Sequence, residues 1–169
     1  MCTNVATMAW DDDIVVARDP DGALIGRRFV IFDGSCGFCT WSVRWVRSWD
    51  PSRRLTYVPY QALEPHDFER FGTSRERCAR EVQFADGSGR LSGGAAAING
   101  MLCAIPRTRR ILIVAAVAAL PIAFALESAA YRFVARNRIP ISRMLGTAKH
   151  ALFDADEEPP RGGTVPPES

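Results

Sequence analysis

The stretch Asp33-Gly34-Ser35-Cys36-Gly37-Phe38-Cys39 places two thiols one helical turn apart, directly after the apolar run Phe29-Val30-Ile31-Phe32. Such a pair can form a reversible disulfide, ligate a metal, or simply fill space as two small core side chains. Redox chemistry needs an attacking thiolate and a resolving thiol, and this spacing supplies both. A cysteine at the start of a helix meets unpaired backbone N–H groups and the positive end of the helix dipole, which favour its thiolate. Cys36 is therefore the candidate nucleophile. Cys39 lies within reach of a mixed disulfide on Cys36, and an expected lower exposure suits it to resolve that bond. Asp33 has two candidate jobs, capping the helix start or relaying a proton for Cys39. A carboxylate also raises the pKa of a nearby thiol, so moderate rather than strong acidification of Cys36 is expected.

Structural zinc takes about four ligands, usually as two Cys/His pairs. Here Cys78, Cys103, His66 and His150 are scattered singles, so no metal site is expected. Neither a P-loop nor a Rossmann glycine pattern is present, so no nucleotide cofactor is expected either.

The elements that must hold the pair can be read from periodicity. Arg28 to Phe32 is rich in strand formers and is stopped by Asp-Gly, which suits a buried strand. From Cys36 to Trp49 the apolar residues keep helical spacing until Asp50-Pro51, so a helix opens at the motif. Arg54–Tyr60 predicts a second strand, its late proline marking an edge or an exit, and Pro65–Phe71 a short helix closed by Gly72. Glu81–Ala85 and Arg90–Ser92 around Asp86-Gly87-Ser88-Gly89 predict a hairpin, followed by a small-residue helix over Ala95–Cys103. The order is β-α-β-α-β-β-α, with helices expected over Arg107–Leu126 and Glu127–Arg138, the latter stopping near Ile139-Pro140. A Cys-x-x-Cys just after a strand and at the mouth of a helix, within this order, is the context of thioredoxin-like redox sites. Residues 1–26 form an arm or an extra hairpin around Asp19-Pro20-Asp21-Gly22. Residues 27–150 form the domain, and the acidic Pro/Gly-rich tail 151–169 is expected to be disordered.

Asp33-x-x-Cys36-x-x-Cys39, Val58-Pro59, Asp86-Gly87 with Gly94-Ala95-Ala96, and Tyr131-Arg132-Phe133-Val134-Ala135-Arg136-Asn137-Arg138 together resemble the DCC thiol-disulfide oxidoreductase family over roughly residues 28–143. That resemblance implies a thioredoxin-like fold and a dithiol-disulfide activity; with the element order above, the expectation is an α/β, thioredoxin-like mixed sheet flanked by helices, with a C-terminal helical extension, and no cofactor, since electrons would pass by dithiol exchange. One departure is the lack of a proline before Glu81-Val82-Gln83-Phe84, where thioredoxins carry a cis-proline facing the disulfide.

A length of 169 residues with 47% hydrophobic content fits one domain with a real core. A formal net charge of +2 argues for no nucleic-acid partner. Five widely spaced cysteines do not make the framework of a small secreted domain, and at least one is unpaired. The first residues show neither a basic region nor an apolar stretch, so a cytoplasmic setting is expected. The substrate is expected to be a protein or small-molecule thiol or disulfide. Phe38 and Trp41 are candidate substrate contacts, against the plainer reading of core aromatics at helical spacing. Arg132 and Arg136 share a helix face and are candidates for a substrate anion, against a solvated face. The apolar run Ile111–Leu126 falls short of a spanning length and contains Pro121, so it is expected to pack on the domain, with peripheral membrane contact through 107–138 as the alternative. Two rival functions stay open: a non-catalytic binding module on the same fold, and a metal-binding protein.

Overall fold

In the computed structural model, residues 6–11, 14–21, 23–24, 26–105 and 121–152 are described. The expected helix over 107–126 lies largely outside them, as does the tail from 153. The chain runs β1 (Ala6–Asp11), β2 (Ile14–Arg18), β3 (Phe29–Phe32), α1 (Gly37–Ser48), β4 (Thr56–Pro59), α2 (Pro65–Phe71), α3 (Arg75–Arg80), β5 (Gln83–Ala85), β6 (Leu91–Gly93), α4 (Gly94–Ala104) and α5 (Pro121–Met144), with short 3-10 turns at Tyr60–Ala62 and Thr147–His150.

Strands β3 to β6 form one mixed sheet in the order β4-β3-β5-β6. Strand β3 pairs in parallel with β4 and antiparallel with β5, which pairs antiparallel with β6. A parallel pair needs a crossover, and α1 supplies it. Strand β3 is central and buried along its whole length. Its side chains divide by the period of two: Val30 and Phe32 join a core with Val43 and Val46 of α1 and Ala97 and Met101 of α4, whereas Phe29 and Ile31 join a second core with Phe71 of α2 and Cys78 of α3. Each valine, isoleucine, phenylalanine or methionine among them contributes roughly 1.5–3 kcal/mol by burial. Helices cover both faces of the sheet, and the β-α-β and β-β-α halves make the fold thioredoxin-like.

Three expectations need correction. The N-terminal hairpin exists, but its strands are β1 and β2, which flank residues 12–13; the turn at Asp19–Asp21 leads only to a single bridge between Arg18 and Leu24. There the Asp19 carboxylate accepts the N–H groups of Asp21 and Ala23, holding the turn without a following strand. Helix α3 was not anticipated; Ser74 caps it by accepting the Arg77 N–H, and six residues are too few to show a period. Helix α5 does not stop at Ile139-Pro140 but runs through Pro140 to Met144. A proline removes one helical hydrogen bond. Tertiary contacts on either side offset that loss: Arg138 bonds the Ala79 carbonyl, and Ser142 is buried and accepts from Thr147.

Candidate active site

The turn joining β3 to α1 carries the pair. The N-cap of α1 is Cys36 itself, in extended conformation, and its sulfur accepts the Cys39 N–H at 3.3 Å. Asp33 therefore does not cap the helix. Its Oδ1 accepts Ser35 N–H at 3.1 Å and Ser35 Oγ–H at 2.7 Å, fixing the turn, while Gln61 Nε2 donates to the same oxygen at 2.9 Å. Gln61 also accepts the Gly34 N–H, so the 3-10 turn after β4 clamps the motif from below. At the end of the described chain, Leu152 N–H donates to the Gly34 carbonyl at 2.7 Å.

The second oxygen of buried Asp33 faces Arg138 of α5 at 3.2 Å. The Arg138 guanidinium also donates to the Ala79 carbonyl at 2.7 Å, and its charge lies close enough to act on both Cys39 and Cys36. One side chain thus joins the carboxylate, the dithiol and the end of α3. Seven residues earlier on the same helix face, Tyr131 accepts the Val82 N–H at 3.0 Å through its hydroxyl oxygen. The Val82 carbonyl accepts from Gly94 N–H, so both backbone groups of Val82, just before β5, are satisfied within the chain.

Beneath α5 lies an apolar cavity of about 130 Å³, walled by Val43, Ile98, Met101, Val134 and Ala135 and reaching Phe38, Cys39 and Arg138. By exposed surface Cys36 is buried at 8% and Cys39 is half-buried, the reverse of the expected order, because Cys39 opens toward this cavity.

The two thiols nonetheless differ in the expected electronic sense. Cys36 is lowered from 9.0 to about 7, first by the hydrogen bond from the Cys39 thiol, then by the Cys39 N–H and Arg138, against burial and Asp33. Cys39 is pushed up, first by donating its proton to Cys36 and then by burial and the Cys36 charge. Burial pushes Cys78 up as well, and Cys103 is an exposed free thiol.

Of the residues expected at the site, Cys36, Cys39, Asp33 and Phe38 come together. Trp41 lies on the outer face of α1, where Phe38, Trp41, Trp45 and Trp49 form a ladder with ring centroids 6.1, 6.4 and 4.1 Å apart. Arg132 and Arg136 are exposed and line no part of the cavity. The missed residues, Arg138 and Tyr131, fall on the i, i+3, i+4, i+7 stripe Tyr131, Val134, Ala135, Arg138, whose apolar middle marks the inward face. Among the described residues, no group of three His, Cys, Asp or Glu side chains could hold a metal ion, and no helix is long and apolar enough to cross a membrane.

A dithiol at the N-terminus of the first helix of a thioredoxin-like fold, with one thiol acidified by the other, is the arrangement that thiol-disulfide exchange requires. The DCC1-like thiol-disulfide oxidoreductase family matches residues 30–144, from β3 to the end of α5, and the chain belongs to that family. No curated protein and no solved structure matches the chain.

Proposed function

We propose that the protein exchanges a Cys36–Cys39 dithiol with the disulfide of a protein or small-molecule substrate. The observation that carries this reading is the Cys36 sulfur at the helix mouth, which accepts the Cys39 backbone N–H at 3.3 Å and whose thiol is lowered to about 7 beside a Cys39 thiol that is pushed up. The Cys36 thiolate attacks one sulfur of a substrate disulfide RS–SR′, forming Cys36–S–S–R and releasing R′S⁻, which takes a proton from water. Cys39 then gives up its proton to water, its sulfur attacks that of Cys36, the bond from Cys36 to R breaks, and RS⁻ leaves and is protonated by water; two electrons have passed to the substrate. Two further thiols, or one dithiol, restore the Cys36–Cys39 dithiol by the same steps in reverse and leave joined as a disulfide.

The structure supports an order to these steps. The largest cause holding the proton on Cys39 is its bond to the Cys36 thiolate. That thiolate no longer exists once Cys36 is in a mixed disulfide, whereas the Arg138 charge beside Cys39 remains. Resolution is thereby favoured only after attack. A neutral Cys39 before the attack also protects the pair from premature oxidation.

The test compares wild type, Cys36→Ser and Cys39→Ser in reduction of insulin and of a small disulfide. Cys36→Ser should fall to the uncatalysed rate, and Cys39→Ser should accumulate a mixed disulfide visible as added mass. Equal rates in all three proteins would refute the catalytic reading in favour of a non-catalytic module.

A further inference from the structure

Helix α5 carries two unlike faces. The stripe through Tyr131 and Arg138 is turned into the site, but on the opposite side Leu126, Phe133 and Pro140 recur every two turns with Met144 one turn further, and all four are exposed, Leu126 and Phe133 at 67% and Met144 at 79%. Scattered exposed apolar residues mean little, whereas an apolar line along one helix face marks an interaction surface. Beside this line Arg132, Arg136 and Arg143 stand in a second row, all exposed. From Ser128 to His150 the sequence contains no Asp or Glu. Glu127, the nearest acidic residue, faces the other way and accepts from Asn99 at 3.0 Å.

We propose that this outer face of α5 docks on a bilayer containing anionic phospholipid, with the helix in the plane of the interface. Charge decides the occupant. A row of arginines with no interspersed carboxylate repels a second copy of itself, but it complements phosphate headgroups, and guanidinium stems can lie along the apolar line while their charges reach the headgroups. Arginine also meets phosphate through two parallel hydrogen bonds. The apolar residues enter only the headgroup boundary, consistent with a helix too polar to span. Because the inward stripe of the same helix holds Arg138 and Tyr131, docking leaves the dithiol about one helix diameter, ~10 Å, above the lipid surface.

The test is co-flotation of the full-length chain with vesicles of phosphatidylcholine alone or with about 30 mol% phosphatidylglycerol, at low and high salt. Wild type should float with the anionic vesicles only, and salt should release it. The exposed triple variant Arg132→Gln/Arg136→Gln/Arg143→Gln should weaken partition on the order of a hundredfold. Phe133→Asp should weaken it at least tenfold, while the control Arg27→Gln/Arg54→Gln/Arg90→Gln should change it less than threefold, each variant being checked for unchanged thermal unfolding. Binding should persist in Cys36→Ser, which separates this result from the redox reading. Equal flotation with neutral vesicles, no flotation at all, or a dimer in ultracentrifugation that Phe133→Asp dissociates would overturn the proposal.

Discussion

At the scale of residues, the site is an electrostatic balance around two sulfurs. Asp33 opposes the Cys36 thiolate, and Arg138 favours it while neutralising Asp33 at 3.2 Å. Removing the guanidinium takes away its attraction for the thiolate and leaves the buried carboxylate facing the dithiol unscreened, and both changes disfavour the thiolate. Arg138→Ala is expected to slow alkylation of Cys36 at pH 7 by about three- to tenfold, with the pH profile of the reaction moved to higher pH. Arg138→Lys keeps the charge but cannot span Asp33, Cys39 and the Ala79 carbonyl together, so its profile should fall between those of wild type and Arg138→Ala. Iodoacetamide kinetics across pH 5–10 would measure this, and an unchanged profile in Arg138→Ala would confine that residue to a structural role. Cys36, Cys39 and Asp33 were legible because one short turn carries them. Arg138 was hidden by its distance along the chain and by two neighbouring arginines that share a face but point outward. Its own position on the apolar side of the helix was the available signal.

At the scale of elements, the strands and helices from Phe29 to Ala104 other than α3 follow from period and from the punctuation of prolines, glycines and Asp-Gly turns. What the pattern missed lay where tertiary contacts outweigh local rules, as at Pro140, or where an element is too short to show a period, as in α3. Helix α4 illustrates how far packing overrides propensity. Replacing a mid-helix glycine by alanine ordinarily stabilises a helix by about 0.5–1 kcal/mol. At Gly100, however, an added Cβ would lie 2.7 Å from Cδ1 of Phe84, a ring buried between α4 and the sheet. Overpacking of this kind costs about 1–3 kcal/mol. Gly100→Ala should therefore lower stability by about 1–2 kcal/mol in urea unfolding, and a gain would show that the helix can move off the sheet without loss. The small residues of this helix serve its close approach to β5, as their composition suggested.

At the scale of the molecule, the redox state of two sulfurs becomes a property of the whole fold, because folding is what brings Cys39 and Arg138 to Cys36. The Cys36 thiol is held at about 7 in the folded protein against 9.0 when unperturbed. An acid with a depressed folded pKa adds stability as its proton leaves: that contribution is full above about 9 and is lost as pH falls through about 7. Cys39 acts in the opposite sense. Its raised pKa keeps a proton that the unfolded chain releases above about 9, so its contribution is present below that pH and lost above it. The reduced protein should thus gain on the order of 2 kcal/mol over Cys36→Ser between pH 6 and 9, then lose part of the advantage at higher pH. The oxidised protein has neither titration and should show none of this dependence. Whatever stabilises the folded thiolate also favours the dithiol over the disulfide, so the pair becomes more oxidising as pH rises from 6 to 9 relative to an unperturbed dithiol. Urea unfolding of reduced wild type, oxidised wild type and Cys36→Ser at pH 6, 7.5 and 9 separates these terms. Parallel curves for reduced wild type and Cys36→Ser would mean that the fold does not hold the thiolate and that the helix mouth gives Cys36 no special reactivity.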